Sequence, residues 1–394
     1  MMINKKVKTK WIFCVSLIGV LFATALSNGG QAQVAYAGGQ DIPPGVNFYI
    51  EKQKLLGGMN LYFGNLHSHT ACSDGEGTPE QAFAWARDVI RFDFYAITDH
   101  AEQLSSKEWE EIGKQADKFN TNGRFVAIRG FEWSHPYEGH SCVWNTRKYI
   151  SAWGEETADT YSKPTLGLFY RWIDDKDAVA QFNHPGRPKG IFRNLHFESD
   201  AADNIIAIET GNKGTGNNDG SYYRWYPIAL DKGWKVAPTN NLDNHKLVAN
   251  PHRTVAIAPL LNRDAILDAM KERRAYSTDD GNMEVIFKSG DCWMGSTLRV
   301  PSPTINFDVV VEDDEPIVKL EILTNGGKVV AEKNTEANQV VWKPSVESSS
   351  GTYFFLRVFE RNDRHDDDNP TADMQIAVTA PIWNPHGSQH LYWS

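Results

Sequence analysis

Cysteine is scarce in this 394-residue chain, with four in all: Cys14, Cys72, Cys142 and Cys292. Only the last three lie beyond the N-terminal apolar stretch, and an odd, widely spaced set is no disulfide framework. The fold must rest on its core, and the chain is long enough to build one with a second domain besides. Positive charge is also short. The 40 Lys and Arg stand against 50 Asp and Glu, for a formal net charge of −10. An acidic chain is a poor nucleic-acid binder, because phosphate neutralisation needs clustered Lys and Arg.

The N terminus is the exception to that acidity. Lys5, Lys6, Lys8 and Lys10 precede an apolar run, Trp11 to Leu26, that is short for a membrane span. Ala35-Tyr36-Ala37 fits an A-x-A cleavage site. These features predict a signal peptide over residues 1–37, a secreted or cell-surface-associated mature chain from Gly38, and no stable span after cleavage. An uncleaved anchor is the alternative. Losing four lysines moves the formal charge from −10 to about −14. Cys14 has no small residues before it and sits too early for a lipoprotein site. Thirteen Trp residues are many, and packing is the first role to expect of them.

The chain is organised around Leu61 to Gly77. A short apolar strand ends in His67-Ser68-His69, whose alternate residues share one face and send both imidazoles the same way. Asp74 follows in a Ser-Asp-Gly turn, within reach of the same pocket. Residues 38–60 are a polar lead-in. Thr78 with Gln81, and Ser105 with Glu108, are capping boxes that open helices to about Arg91 and Asn120. Strands at Phe94–Thr98 and Phe125–Ile128 complete three strand-loop-helix units, which predict a parallel sheet closing toward a barrel. Less regular strands follow near residues 140–145, 179–182, 204–209, 235–238 and 254–258. After about Gly281 alternating apolar residues and an Asn325-Gly326-Gly327 turn predict a small all-β, sandwich-like domain over residues 282–394. The Asp366-Asp367-Asp368 run reads as an acidic surface loop before it reads as a calcium site.

Imidazoles and carboxylates recur at the C-terminal ends of these strands: His67, His69, Asp74, His100, Glu132, His140, His184, Asp243 and His245. Nine such groups suit two or three divalent ions sharing a carboxylate. Nitrogen and oxygen ligands without cysteine fit Zn, Mn or Fe. As an ordered set, the motifs His-x-His, Ser-Asp-Gly, Thr-Asp-His, Gly-x-Glu, Gly-His, His-Pro and Asp-x-His resemble the PHP (polymerase and histidinol phosphatase) superfamily of metallohydrolases. They cover residues 61–281. The β-rich tail ending in Ala380-Pro381-Ile382-Trp383 is similar to that of the CehA/McbA-like branch.

The resemblance implies a distorted (β/α)7 barrel with up to three ions. It implies that His67, His69, Glu132 and Asp243 hold the first. Glu132 would bridge to a second held with His140 and His184, and Asp74, His100 and His245 would hold the third. His135 competes with His140 as a ligand; if His140 is chosen, His135 stands near the substrate or donates a proton. Amidohydrolases also open on His-x-His but usually bridge their metals with a carboxylated lysine, and no lysine lies near Glu132.

The expected reaction is hydrolysis of a phosphoester, preferably a diester on a small molecule or glycan, by metal-activated water. Arg187 is placed to fork onto phosphate oxygens, and Asp99 to orient a neighbouring ligand. Tyr222, Tyr223, Trp225 and Tyr226, with the loop 211–220, are candidates for an aromatic pocket. A carbamate or carboxyl-ester hydrolase on the same metals, and a non-catalytic metal-containing surface-binding protein, are the competing readings. An apolar pocket without an Arg/Lys clamp would favour the carbamate.

Overall fold

The computed structural model describes residues 44–153, 165–187, 192–213, 222–361 and 374–387. The signal-like segment, most of the 211–220 loop and Asp366–Asp368 lie outside the described residues. Among the described residues no helix is long and apolar enough to cross a membrane.

The chain is a mixed α/β fold built on one large sheet. Its elements begin with α1 (Pro44–Leu56), β1 (Asn60–Asn65), α2 (Pro79–Ala84), β2 (Phe94–Ile97), α3 (Ser106–Phe119), β3 (Val126–His135) and β4 (Gly139–Trp144). Next come α4 (Leu166–Asp175), β5 (Val179–Phe182), α5 (Phe192–Leu195), β6 (Ile205–Asn212), α6 (Trp225–Asp231) and β7 (Ala237–Asn241). Then follow β8 (Arg253–Ala258), α7 (Arg263–Lys271), β9 (Ala275–Thr278), β10 (Glu284–Ser289), β11 (Cys292–Trp293) and β12 (Thr304–Asn306). The last are β13 (Asp308–Thr324), β14 (Lys328–Trp342), β15 (Ser345–Glu347), β16 (Tyr353–Arg361), β17 (Met374–Thr379) and β18 (Ile382–Trp383).

Local chemistry explains where the helices start. Both capping boxes form: the Thr78 and Ser105 hydroxyls accept from the backbone of Gln81 and Glu108, whose side chains reach back to the cap N–H. Replacing either cap by Ala would cost about 1 kcal/mol. The polar lead-in contains α1, which its weak apolar face conceals. Phe48, Leu55 and Leu56 nevertheless pack into the core, and Lys52 pairs with Glu284 of β10 and Glu312 of β13. Strand β2 is buried throughout. Phe94 and Ala96 join one apolar layer, and Tyr95 and Ile97 the other. A strand covered on both faces reads as a continuous apolar run, and its short length separates it from a helix.

The sheet runs β11-β10-β13-β16-β17-β9-β8-β1-β2-β3-β4-β5-β6-β7. Pairs β1–β2, β2–β3, β5–β6 and β6–β7 are parallel. The expected alternation of strand and helix fails at β3–β4. These two form an antiparallel hairpin across residues 136–138, too short a connection for a parallel crossover. On the other flank β8 runs antiparallel to β1. The end of β7 returns beside the end of β1 through two asparagine side chains and a backbone bond. Asn241 accepts from Leu66 N at 2.9 Å, Asn65 accepts from Leu242 N at 2.7 Å, and Asp243 N donates to His67 O at 2.9 Å. The strands after residue 281 do not form an isolated sheet, because β17 pairs with β9. Strands β12 and β15 make a separate two-stranded sheet. All three described cysteines are free.

Candidate metal centre

Glu132, on β3, is 1% exposed and occupies the centre of the candidate ligands. Ring nitrogens of His100, His67, His140, His184 and His69 lie 2.8, 3.3, 3.4, 3.5 and 3.6 Å from its carboxylate oxygens. Burial favours the neutral acid, but the imidazoles of His67, His100 and His140 overcome it and hold the Glu132 carboxyl well below the usual range.

Three groupings surround this carboxylate. In the first, His67 Nε2 and His69 Nε2 are 3.2 Å apart, and Asp243 Oδ1 lies 3.5 and 3.1 Å from them. A tetrahedral ion with ligands at about 2.0–2.1 Å has ligand–ligand edges of about 3.4 Å, which these spacings match. Glu132, His140 and His184 form the second. The third joins Asp74, His100 and His245 with His69; Asp74 Oδ1 lies 3.2 Å from His245 Nε2 and 3.6 Å from His100 Nε2. Asp243 Oδ2, His140 Nδ1 and His184 Nδ1 are buried without a hydrogen-bond partner. A donor set of imidazole and carboxylate with orphaned atoms fits divalent ions.

Local geometry places these groups. Gly75 allows the Asp74 turn to fold against the strand end, where a Cβ would meet the His69 carbonyl carbon at 2.6 Å. His184 and Asp243 carry positive φ values of 28° and 41°. Each is held there by its own N–H, to Glu209 Oε2 at 2.7 Å and to His67 O at 2.9 Å. Asp99 holds the loop directly and reaches an imidazole through Ser73, whose Oγ lies 3.4 Å from His69 Nδ1. It accepts from Thr70 N and Oγ1, both at 2.7 Å, and from Ser73 Oγ at 2.6 Å.

His135 is separated from the cluster by strand parity. It stands three residues from Glu132, and alternate residues of a strand face opposite ways. The hairpin register pairs Ser134 with His140 and Glu132 with Cys142, so His140 shares the face of Glu132. His135 instead stacks on Trp133 at 5.4 Å, and its Nδ1 accepts from Tyr137 N and Glu138 N. Its Nδ1 closes the hairpin turn, on the face of β3 away from Glu132.

Arg187 reaches the site. Its Nη1 lies 3.4 Å from His184 Nε2 and its Nη2 lies 3.7 Å from Asp243 Oδ2. Lys213 was not foreseen, and its Nζ lies 3.4 Å from the same oxygen. Glu209 was missed as well. It is fully buried and 2.9 Å from His67 Nδ1, and Gln181, Asn212 and Asn241 donate to it. This contact keeps the Nδ1 proton of His67 and leaves Nε2 facing Glu132. Of the aromatic run, Trp225 packs on Gly186, where a Cβ would meet its Nε1 at 2.0 Å. Tyr226 is buried and donates to Thr379 O, and Tyr223 accepts from Arg357.

No family model matches the chain. A Chlamydia muridarum protein described as uncharacterized is 23% identical over 68% of this chain and 48% of its own length. A Chlamydia pneumoniae protein, also described as uncharacterized, is 21% identical over 82% of this chain and 57% of its own length. The chain spans about half the length of the curated relatives it matches. Among solved structures, a two-domain protein from Bacteroides vulgatus containing a predicted PHP-like metal-dependent phosphoesterase aligns with a TM-score of 0.44 and 13% identity. That alignment covers 77% of this chain and 91% of the other. PsfC from Pseudomonas syringae aligns with a TM-score of 0.38 and 13% identity, over 53% and 87% of the two chains.

Proposed function

We propose that the protein is a metal-dependent phosphoester hydrolase of the PHP type, exported and acting on a small or glycan-linked phosphodiester. The observation that carries this reading is Glu132, one buried carboxylate within 3.6 Å of ring nitrogens from five histidines. Such a group is suited to lie between ions. Two or three divalent ions held by these ligands would supply Lewis acidity and lower the pKa of water. Strands β1–β7, with β7 back beside β1, support a distorted (β/α)7 barrel. The motif order and the β-rich tail support the CehA/McbA-like branch.

The protein's own groups have separable tasks. Asp243 turns Oδ1 toward His67 and His69 and Oδ2 toward Arg187 and Lys213. The guanidinium and the ammonium flank the ligands as a clamp for phosphate oxygens, Arg187 as a fork and Lys213 as a point charge. Glu209 positions His67. A carbamate or carboxyl-ester hydrolase would use the same ligands, but a neutral carbonyl substrate has no need of two cations.

The test is hydrolysis of bis-(p-nitrophenyl) phosphate beside a naphthyl carbamate by the mature chain loaded with Zn or Mn. Asp243→Asn serves as the blank. Metal-dependent release from the diester supports the proposal; release from the carbamate alone overturns the phosphate reading. N-terminal sequencing of the exported chain tests cleavage after Ala37.

A further inference from the structure

A second cluster of acids lies away from the histidines. Asp280 follows the end of β9. Asp313 lies in a bulge of β13, where the register shifts between Glu312 and Ile317, and Glu360 is on β16 opposite Ile317 and Gln375. One oxygen of each carboxylate lies within 4.8 Å of the other two, and Asp313 is also grouped with Asp314 and Glu315. The three main residues are 5%, 6% and 0% exposed.

Donors pin Asp280 and Asp313, while Asp313 and Glu360 keep buried oxygens that no donor meets. Asp280 Oδ1 accepts from Asn282 N and Met283 N. Asp313 Oδ1 accepts from Asn282 Nδ2 and Asp314 N, while its Oδ2 is buried without a partner. Glu360 is fully buried, and neither of its oxygens receives a hydrogen bond. After burial, the strongest influences on Glu360 are Asp313, Asp280 and Glu315, all acids. Carboxylates buried in each other's company need protons or a cation.

We propose that Asp280, Asp313 and Glu360 form a divalent-cation site separate from the histidine centre, of the oxygen-donor kind that takes calcium. An oxygen-only donor set lacks the nitrogen and sulfur ligands that zinc prefers. Calcium accepts six to eight oxygens at about 2.3–2.6 Å in irregular geometry, so Asp314, Glu315 and water can complete the shell. Bound there, it joins the end of β9 to β13 and β16.

The test is thermal unfolding of the full mature chain, saturated with Zn at the histidine centre, with and without millimolar calcium. Terbium luminescence serves as a second readout. The wild type should gain at least about 3 °C. Asp243→Asn should keep that gain, whereas Glu360→Gln and Asp313→Asn should lose it together with terbium binding, and Glu360→Gln should keep zinc-dependent turnover. Absence of both signals in the wild type overturns the proposal, as does a calcium shift that persists in both acidic-site variants. Should Glu360→Gln not fold, Asp280→Asn and the wild-type titration decide the matter.

Discussion

Glu132 and Glu360 are the same residue type, both on strands and both almost wholly buried, at 1% and 0% exposure. Burial raises the pKa of each, yet they end far apart. Imidazoles bring Glu132 well below the usual carboxylate range, whereas Asp313 and Asp280 help push Glu360 up to about 11. Burial therefore sets the stakes, and neighbouring groups decide the charge. The difference also sorts the cations. A nitrogen-rich shell suits Zn, Mn or Fe, and an all-oxygen shell suits calcium.

The largest break in this contrast should come from Asp243→Asn. Lewis-acid stabilisation of several kcal/mol, at about 1.4 kcal/mol per tenfold, sets the expected loss of kcat at about a thousandfold. Circular dichroism should show the fold intact. Glu209→Gln should weaken metal affinity at the His67 position by about 10–100-fold, measured by competition with a chelating dye. Arg187→Ala with Lys213→Ala should raise KM for the diester by about tenfold, roughly 1.4 kcal/mol of lost binding, with unchanged metal content.

A pH series sharpens the comparison in calcium-free protein. Glu360 has a folded pKa above its unfolded value, as do Asp313, raised to about 6, and Glu315, raised to about 7. Raised acids hold extra protons in the folded state, so their contribution falls as pH rises from about 4 through those values. Glu132, with its pKa lowered, contributes fully above the ordinary range and loses this only as pH falls through its folded value. His67 is raised as well, and His100 is raised to about 9, so their contributions also decline with rising pH. The difference in Tm between wild type and Glu360→Gln isolates the acids: between pH 5 and 8 it should move in favour of the variant. The smallest effect is expected for His135→Ala, with turnover and metal content within about twofold of wild type, because surface-turn changes are usually within about ±0.5 kcal/mol.

Features written in neighbouring residues were the legible ones. The i, i+2 spacing of His67 and His69 gave their common direction, and Thr78 with Gln81 gave a helix start that forms as expected. Features made by distant pairs were hidden. Glu209 follows an ordinary apolar run within β6, and its partner His67 lies 142 residues away in the chain. Lys213 follows β6 without any local pattern linking it to Asp243. Helix α1 was concealed because its apolar contacts and the Lys52 ion pairs belong to β10 and β13. The choice between His135 and His140 needed strand parity and the hairpin register, and only the second was out of reach of the sequence. The join of β17 to β9 is also a long-range pairing, so the change of pattern near residue 281 marked a change of composition without marking a break in the sheet.

That join bears on how the chain can be handled. A protein cut at Gly281 would lose β17 and leave Tyr276, Ser277 and Thr278 with their ladder groups bare along one side. An unpaired edge of this kind recruits other strands, so the histidine-bearing half expressed alone should tend to aggregate. Shortened forms would then need β17 supplied in trans, or a graft of Met374–Thr379 after β9, before the proposed hydrolysis could be tested in them beside the whole chain.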